Sequence, residues 1–172
     1  MLIESTSSAL VLRRWHPDDL DALLAAYRDP VLRHWTRVPV TSAAEGRQWL
    51  DRVDTDWNDG SRYTFAVIDA DDGPPVANVV LKRTALYRPG AEVGYWTAAW
   101  ARGRGVAPRA VTMLSGWAFD RFPELPHIDL MHQVDNVASC RVALKSGYLL
   151  QEVAPARPPF PLEGHRHTLT AP

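Results

Sequence analysis

The segment Arg102-Gly103-Arg104-Gly105-Val106-Ala107 stands between a β-prone stretch and a run of helical periodicity, and its residue types suit one task. Glycines let a backbone turn sharply with successive N–H groups pointing one way, and the start of a helix adds the positive end of its dipole. A diphosphate is the group such a turn accepts. Glycine in a strand-to-helix connection also has a purely steric reading, and neither standard nucleotide motif is complete. No Lys-Ser/Thr pair makes a Walker loop, and no third glycine makes a dinucleotide fingerprint. The expectation is a diphosphate carried by another kind of molecule. Among the titratable residues, Asp129 and His132 share one predicted strand and either can serve as a base. His165 and His167 alternate on the last predicted strand, so that one of them can face a bound substrate. No close ligand constellation is legible among these side chains, and no metal is expected. Cys140, inside a predicted helix, reads as a packing residue.

The elements that must position these groups are legible in outline. Ala9 to Trp15 is β-prone and runs into His16-Pro17-Asp18-Asp19, where proline at a first helical position and acids in the first turn announce a helix. Leu20, Leu23, Leu24 and Tyr27 recur at helical spacing up to Asp29-Pro30, which reads as the helix end. Thr41 then caps a second helix that runs through Trp49 and Val53 toward Asn58-Asp59-Gly60. Tyr63, Phe65 and Val67 alternate with smaller residues before the turn Asp71-Asp72-Gly73-Pro74, and Val76 to Leu86 returns as the second arm of a hairpin. A third strand, Glu92 to Thr97, leads to the glycine turn. Beyond it, Ala107, Ala110, Val111, Leu114, Trp117 and Ala118 form a helical stripe ending near Phe122-Pro123. Ile128 to His132 follows this crossover helix and is expected to lie parallel to Glu92 to Thr97. Asn136 to Ser146 is the last helix, with Gly147 just past its end, and the strands Tyr148 to Val153 and His165 to Thr170 close the chain. The proline-rich stretch between them (Pro155, Pro158, Pro159, Pro161) makes an irregular loop over a site.

The composition narrows the class. At 172 residues the chain suits one domain with one continuous core. Nineteen Lys plus Arg against twenty Asp plus Glu leaves a formal charge of −1, without the basic excess that phosphate-backbone binding needs, so no nucleic-acid partner is expected. The single cysteine has no internal disulfide partner, and no signal-like segment opens the chain, which together point to the cytoplasm. No apolar stretch approaches a membrane span.

Three segments in this order resemble the GNAT acetyltransferase superfamily, and within it the branch of ribosomal-protein N-terminal acetyltransferases. Arg102, Gly105 and Ala107 fill its coenzyme A loop pattern, Gln/Arg-x-x-Gly-x-Gly/Ala. Ala91-Glu92-Val93-Gly94-Tyr95-Trp96 looks like the strand that carries the pantetheine arm. Asn136-Val137-Ala138-Ser139, followed by Lys145-Ser146-Gly147-Tyr148, resembles the branch's second signature. The resemblance is specific over roughly residues 91 to 150 and diffuse over the N-terminal half. It implies an α/β fold with a mixed central sheet of about six or seven strands, helices on both faces, and a V-shaped splay between two parallel strands. It also implies acetyl-CoA as co-substrate, an amine acceptor (a protein N-terminus or a small molecule) and a possible homodimer.

The resemblance also assigns roles. Backbone groups of Tyr95, Trp96 and Thr97 pair with pantetheine as a neighbouring strand would, and the N–H groups from Gly103 to Ala107, through Arg104, Gly105 and Val106, hold the pyrophosphate. Asn136 contacts the pantetheine arm, and its residue type equally suits a helix N-cap. Glu92 matches an acidic position of the branch and is the candidate base; as a plain strand residue it instead pairs with Lys82 or Arg83 across the hairpin. Many family members use a tyrosine of the last helix to protonate the leaving thiolate, but Ala143 stands there in this chain. Ser139 is the remaining candidate acid, with local helix capping as its alternative role. A backbone N–H of Trp96 or Thr97 supplies the oxyanion contact. Trp35 and Trp57 are candidates to line an acceptor groove. The rival reading is a noncatalytic acyl-CoA-binding regulatory module that kept the cofactor loop and lost its acid–base groups.

Overall fold

The computed structural model describes residues 2–4, 10–69, 73–83, 89–158 and 161–172. Among the described residues eight strands form one sheet: β1 (Leu2–Glu4), β2 (Val11–Arg14), β3 (Arg62–Ile68), β4 (Ala77–Lys82), β5 (Ala91–Thr97), β6 (His127–Gln133), β7 (Leu149–Ala154) and β8 (Gly164–Thr170). Their order across the sheet is β1-β2-β3-β4-β5-β6-β8-β7. Every neighbouring pair is antiparallel except β5 and β6, which run parallel. The sheet is thus one strand wider than the six or seven expected. The additional strand, β1, is three residues long, too short to show a period of two in sequence. The starting Ala9 of the first expected strand, the turn residues Asp71 and Asp72, the end of the returning arm beyond Arg83, and Pro159 lie outside the described residues.

Five α-helices flank the sheet. α1 (Leu20–Tyr27), α2 (Pro30–Trp35) and α3 (Ala43–Asp59) cover one face; α4 (Val106–Arg121) and α5 (Val137–Lys145) cover the other. The Asp29-Pro30 pair departs from expectation, since it opens α2 rather than only closing α1. The Asp29 carboxylate accepts from the backbone N–H of Val31 at 3.0 Å and of Leu32 at 3.3 Å, and Pro30 takes the first helical position, where its missing N–H costs nothing. Ser42, not Thr41, caps α3: its Oγ accepts from the Glu45 backbone N–H at 3.2 Å while the Glu45 carboxylate accepts from the backbone N–H of Ser42 at 3.0 Å. Thr41 donates to the same carboxylate from its own backbone and hydroxyl.

Strand alternation divides the core. Ala91, Val93 and Tyr95 of β5 pack with the α4–α5 layer, together with Leu114, Ala118, Ile128, Leu130 and Tyr148. Trp96 packs into the α1–α3 layer, with its ring centroid 5.9 Å from that of Trp15 and 5.8 Å from that of Tyr27. Glu92 and Gly94 share the Trp96 parity. This two-sidedness of β5 positions everything that follows.

Candidate active site

The parallel pairing of β5 and β6 is short. Ala91 faces Ile128, Glu92 faces Asp129 and Val93 faces Leu130, and there the register ends. Past that point β5 stays paired to β4 as far as Thr97, and β6 stays paired to β8 as far as Gln133. The two strands therefore diverge while each keeps its outer partner, and the inner edge of β5 from Gly94 to Thr97 is left without a neighbouring strand. Unpaired N–H and C=O groups along such an edge are what an extended amide-bearing chain pairs with. The buried hydroxyl of Thr97 likewise has no hydrogen-bond partner. A cleft of about 1110 Å³ opens at this splay and is lined from both sides of the sheet: Tyr27, Trp35, Trp49 and Asp56 from the α1–α3 layer, Tyr95 and Ser139 from the other.

At the mouth of α4 the glycine turn has the geometry its sequence predicted. Gly103 and Gly105 hold φ of 76° and 74°, the left-handed region that favours glycine, and a Cβ at either position would point into open space. The first-turn N–H groups of α4 have no intrahelical acceptor, so turn and helix start together offer donors to an anion. The arginine side chains of the turn are engaged elsewhere. Arg102 bonds the Asp29 carboxylate and, through Nε, the Thr97 carbonyl at 3.3 Å. Arg104 pairs with Asp69 at 2.6 Å, and Arg109 reaches the same carboxylate at 3.2 Å. These contacts brace the turn against α2, β5 and the end of β3, so the donors the turn can offer an anion are chiefly those of its backbone.

Asn136 caps α5, its Oδ1 accepting from the Ser139 backbone N–H at 3.1 Å, and it also lines the cleft, so both of its anticipated roles are compatible with its position. Ser139 Oγ accepts a hydrogen bond from the Tyr95 phenol at 2.9 Å. The sequence assigns Tyr95 only a backbone role, yet its side chain leaves β5 on the α5 face and ends on the candidate acid. Burial pushes the Tyr95 phenol above its ordinary value, with the Ser139 contact pulling back. The alternation of Tyr95 with Glu92 and the nearness of α5 to the strand were the signals for this pair. Glu92, on the opposite parity, ion-pairs with Lys82 directly across the hairpin, the partner its plain strand reading named, and it lines the same cleft.

The GNAT acetyltransferase domain family matches residues 9–149. The chain belongs to that family. Solved structures with the same fold include a RimL ribosomal L7/L12 α-N-protein acetyltransferase in complex with coenzyme A (18% identity, TM-score 0.84, 99% of this chain and 98% of that one). They also include the Salmonella typhimurium acetyltransferase that modifies the N-terminal serine of L7/L12 (16%, 0.85, 100% of both). A Vibrio cholerae protein provisionally assigned as a ribosomal-protein-serine acetyltransferase superposes with TM-score 0.85 at 24% identity, over 99% of this chain and 98% of that one. No curated protein matches the chain. As a GNAT acetyltransferase it uses acetyl-CoA as co-substrate. The free edge of β5, the orphaned Thr97 hydroxyl and the positive-φ turn fit the pantetheine arm and the pyrophosphate, respectively.

Two anticipated acceptor-groove residues separate in this acetyltransferase. Trp35, 37% exposed, lines the cleft with Thr36, Arg37 and Val38. Trp57 does not; it stacks edge-on with Tyr63 and Phe65 and donates Nε1–H to the Thr64 carbonyl at 2.8 Å. Trp49 lines the cleft instead. Pro155 and Pro158 of the proline-rich segment also border the cleft. Asp129 accepts from the Thr168 hydroxyl and lies 3.7 Å from Arg166. The expectation of no close ligand constellation is overturned: one ligand atom from each of His132, Cys140, His165 and His167 lies within 4.8 Å of the others. Cys140 accordingly faces a histidine cluster and is not only a packing residue. Burial is the leading cause that lowers the His132 and His167 imidazoles from the usual value, so each favours its neutral form. Sequence reasoning missed this cluster because β8 returns to β6 only after β7 and the proline-rich segment, a pairing that no local pattern announces.

Proposed function

We propose that this acetyltransferase passes the acetyl group directly from coenzyme A to the α-amine at a polypeptide N-terminus. The observation that carries the reading is the single cleft at the β5–β6 splay, which has the Tyr95–Ser139 pair on the α5 side and Glu92 on the α1–α3 side. Thioester and amine can then approach from opposite faces of the sheet and meet where the strands part.

The free edge from Gly94 to Thr97 and Asn136 hold the pantetheine arm, while the turn from Arg102 to Ala107 holds the pyrophosphate, with Arg102 and Arg104 bracing it. The neutral amine attacks the thioester carbonyl carbon and gives a tetrahedral oxyanion, which a backbone N–H of Trp96 or Thr97 stabilises. Collapse breaks the C–S bond and expels a thiolate. Because the Tyr95 hydroxyl is the donor in its bond to Ser139, the Ser139 proton is left to point elsewhere, and that proton passes to the sulfur. Serine recovers a proton from the phenol, or from water at that position. On the other face an α-amine with an ordinary pKa near about 8 needs little help to become neutral. Glu92, or a water bound to it, takes the remaining ammonium proton.

The RimL and Salmonella relatives act on ribosomal protein N-termini, and a cleft of this volume with the aromatic walls Trp35 and Trp49 has room for the first residues of an extended chain. A lone cysteine without a disulfide partner suits a reducing cytoplasm. The test follows free-thiol release with acetyl-CoA and a panel of peptides with free or blocked N-termini, lysine side chains and small amines. Release that requires a free α-amine, with the acetyl group located there by mass spectrometry, supports the proposal. Release with small amines alone would reassign the acceptor, and release indifferent to every amine would overturn the transfer itself.

A further inference from the structure

We propose that His132, Cys140, His165 and His167 form a four-ligand site for a zinc-class divalent cation, pinning α5 to the β6–β8 pair. The set comes from three separate elements. His132 and His165 face each other in register on adjacent antiparallel strands, and His167, two residues further on, emerges on the same face of β8. Cys140 projects toward them from α5, whose first turn follows β6 at once.

The distances suit a metal. Zinc–nitrogen bonds of about 2.0–2.1 Å in a tetrahedron place neighbouring nitrogens about 3.3 Å apart, and a zinc–sulfur bond of about 2.3 Å lengthens the sulfur edges to about 3.6 Å. His132 Nε2 and His167 Nε2 are 3.2 Å apart. With all four ligand atoms inside 4.8 Å, closing the set asks for side-chain adjustments of the order of an ångström.

The surroundings suit one too. His132 Nδ1 lies 2.7 Å from the Gln133 carbonyl; the proton belongs on that nitrogen, and Nε2 is left bare toward the cluster. A backbone carbonyl behind the imidazole is the usual outer partner of a metal-bound histidine. His167 is 1% exposed, with the Tyr148 backbone as a hydrogen-bonding group beside it, and the buried Nδ1 of His165 has no hydrogen-bond partner. Three imidazoles and a thiol gathered with an unsatisfied nitrogen are costly as a plain core. Imidazole and thiolate donors select zinc, cobalt or nickel over magnesium or calcium. On binding, the Cys140 thiol gives its proton to solvent and the thiolate takes its place in the coordination sphere.

The experiment uses the full chain, purified under a metal-free reductant, stripped with a chelator and titrated with Zn²⁺ alone and with Co²⁺ alone. One equivalent of Co²⁺ should give the visible bands of a tetrahedral ion with a thiolate-to-cobalt charge-transfer band, and Zn²⁺ should displace it and raise the Tm. Cys140→Ser should remove the charge-transfer band, and His165→Asn should weaken Zn²⁺ binding by more than the roughly 10–100-fold that losing an outer partner costs. Circular dichroism of each stripped variant, compared with the stripped parent, separates loss of a ligand from loss of fold. An octahedral cobalt spectrum, a spectrum indifferent to Cys140→Ser, or affinity equal in the parent and a folded His165→Asn variant would overturn the site.

Discussion

At Ser139 one hydroxyl has two directions to satisfy. It accepts from Tyr95 at 2.9 Å and, in the proposed transfer, must still deliver a proton to a thiolate. Replacing it in Ser139→Ala removes the donor, and because acid–base catalysis contributes on the order of 10²–10⁴-fold, kcat should fall by at least about a hundredfold. Acetyl-CoA affinity, which the proposal assigns to β5 and the glycine turn, should change little; calorimetry alongside turnover measures both, and unchanged turnover would remove Ser139 from the mechanism. Tyr95→Phe deletes only the bond into Ser139. A net hydrogen bond of about 0.5–1.5 kcal/mol predicts a kcat loss of up to about tenfold. Since burial raises the phenol pKa, Tyr95 remains protonated and able to donate below its ordinary titration near 10. The parent should therefore show no alkaline loss of kcat from this group below that pH, and a Tyr95-dependent alkaline limb near neutrality would exclude the relay. The phenol was hidden in the sequence because a strand tyrosine has two faces to choose from, and only the placement of α5 decides between them.

The turn and the last helix act as elements. Gly105 starts α4 from φ 74°, so Gly105→Val must either adopt a conformation that β-branched residues avoid or re-form the turn. The space around its Cβ is open, which makes the expected damage conformational and local: acetyl-CoA binding should weaken while the fold survives. Calorimetry on a folded variant with parental affinity would reject the turn as the pyrophosphate site. Asn136→Ala strips the cap of α5 at a cost of about 1 kcal/mol, a Tm fall of about 2–4 °C for a chain of this size. It should also loosen acetyl-CoA binding, because the same helix start lines the cleft; a lower Tm with unchanged affinity would leave Asn136 a cap only. Sequence periodicity anticipated β5, α4, β6 and α5, including the parallel pair, because crossover handedness and amphipathic stripes are local signals. It read Asp29-Pro30 rightly as the end of one helix but missed that the pair opens another, since proline is as much at home at a first helical position as it is a terminator. It also missed β1, whose three residues are too few to show a period, and the meeting of His132 with His165 and His167, which depends on partners far along the chain.

The whole molecule is a sheet with a gap in it, and on the proposed mechanism the gap constrains the order of chemical events. Aromatic packing holds the core on both faces, Trp117 against Phe65 and Tyr63 on one side and Trp15 against Trp49 and Trp96 on the other, with Trp96 anchoring the splayed end of β5. The strands can therefore remain parted where β5 and β6 lose register. If, as proposed, the thioester enters from the α4–α5 side and the amine from the α1–α3 side, both must be present before the acetyl carbon can move. Initial rates measured while acetyl-CoA and a free-amine peptide are varied together should give double-reciprocal lines that intersect. A covalent acetyl-enzyme would instead release coenzyme A before the amine arrives and give parallel lines. Parallel lines, or acetyl label retained on the protein after acetyl-CoA is removed, would show that the two faces of the cleft are used in turn rather than together, and that direct transfer through the gap is the wrong description of this sheet.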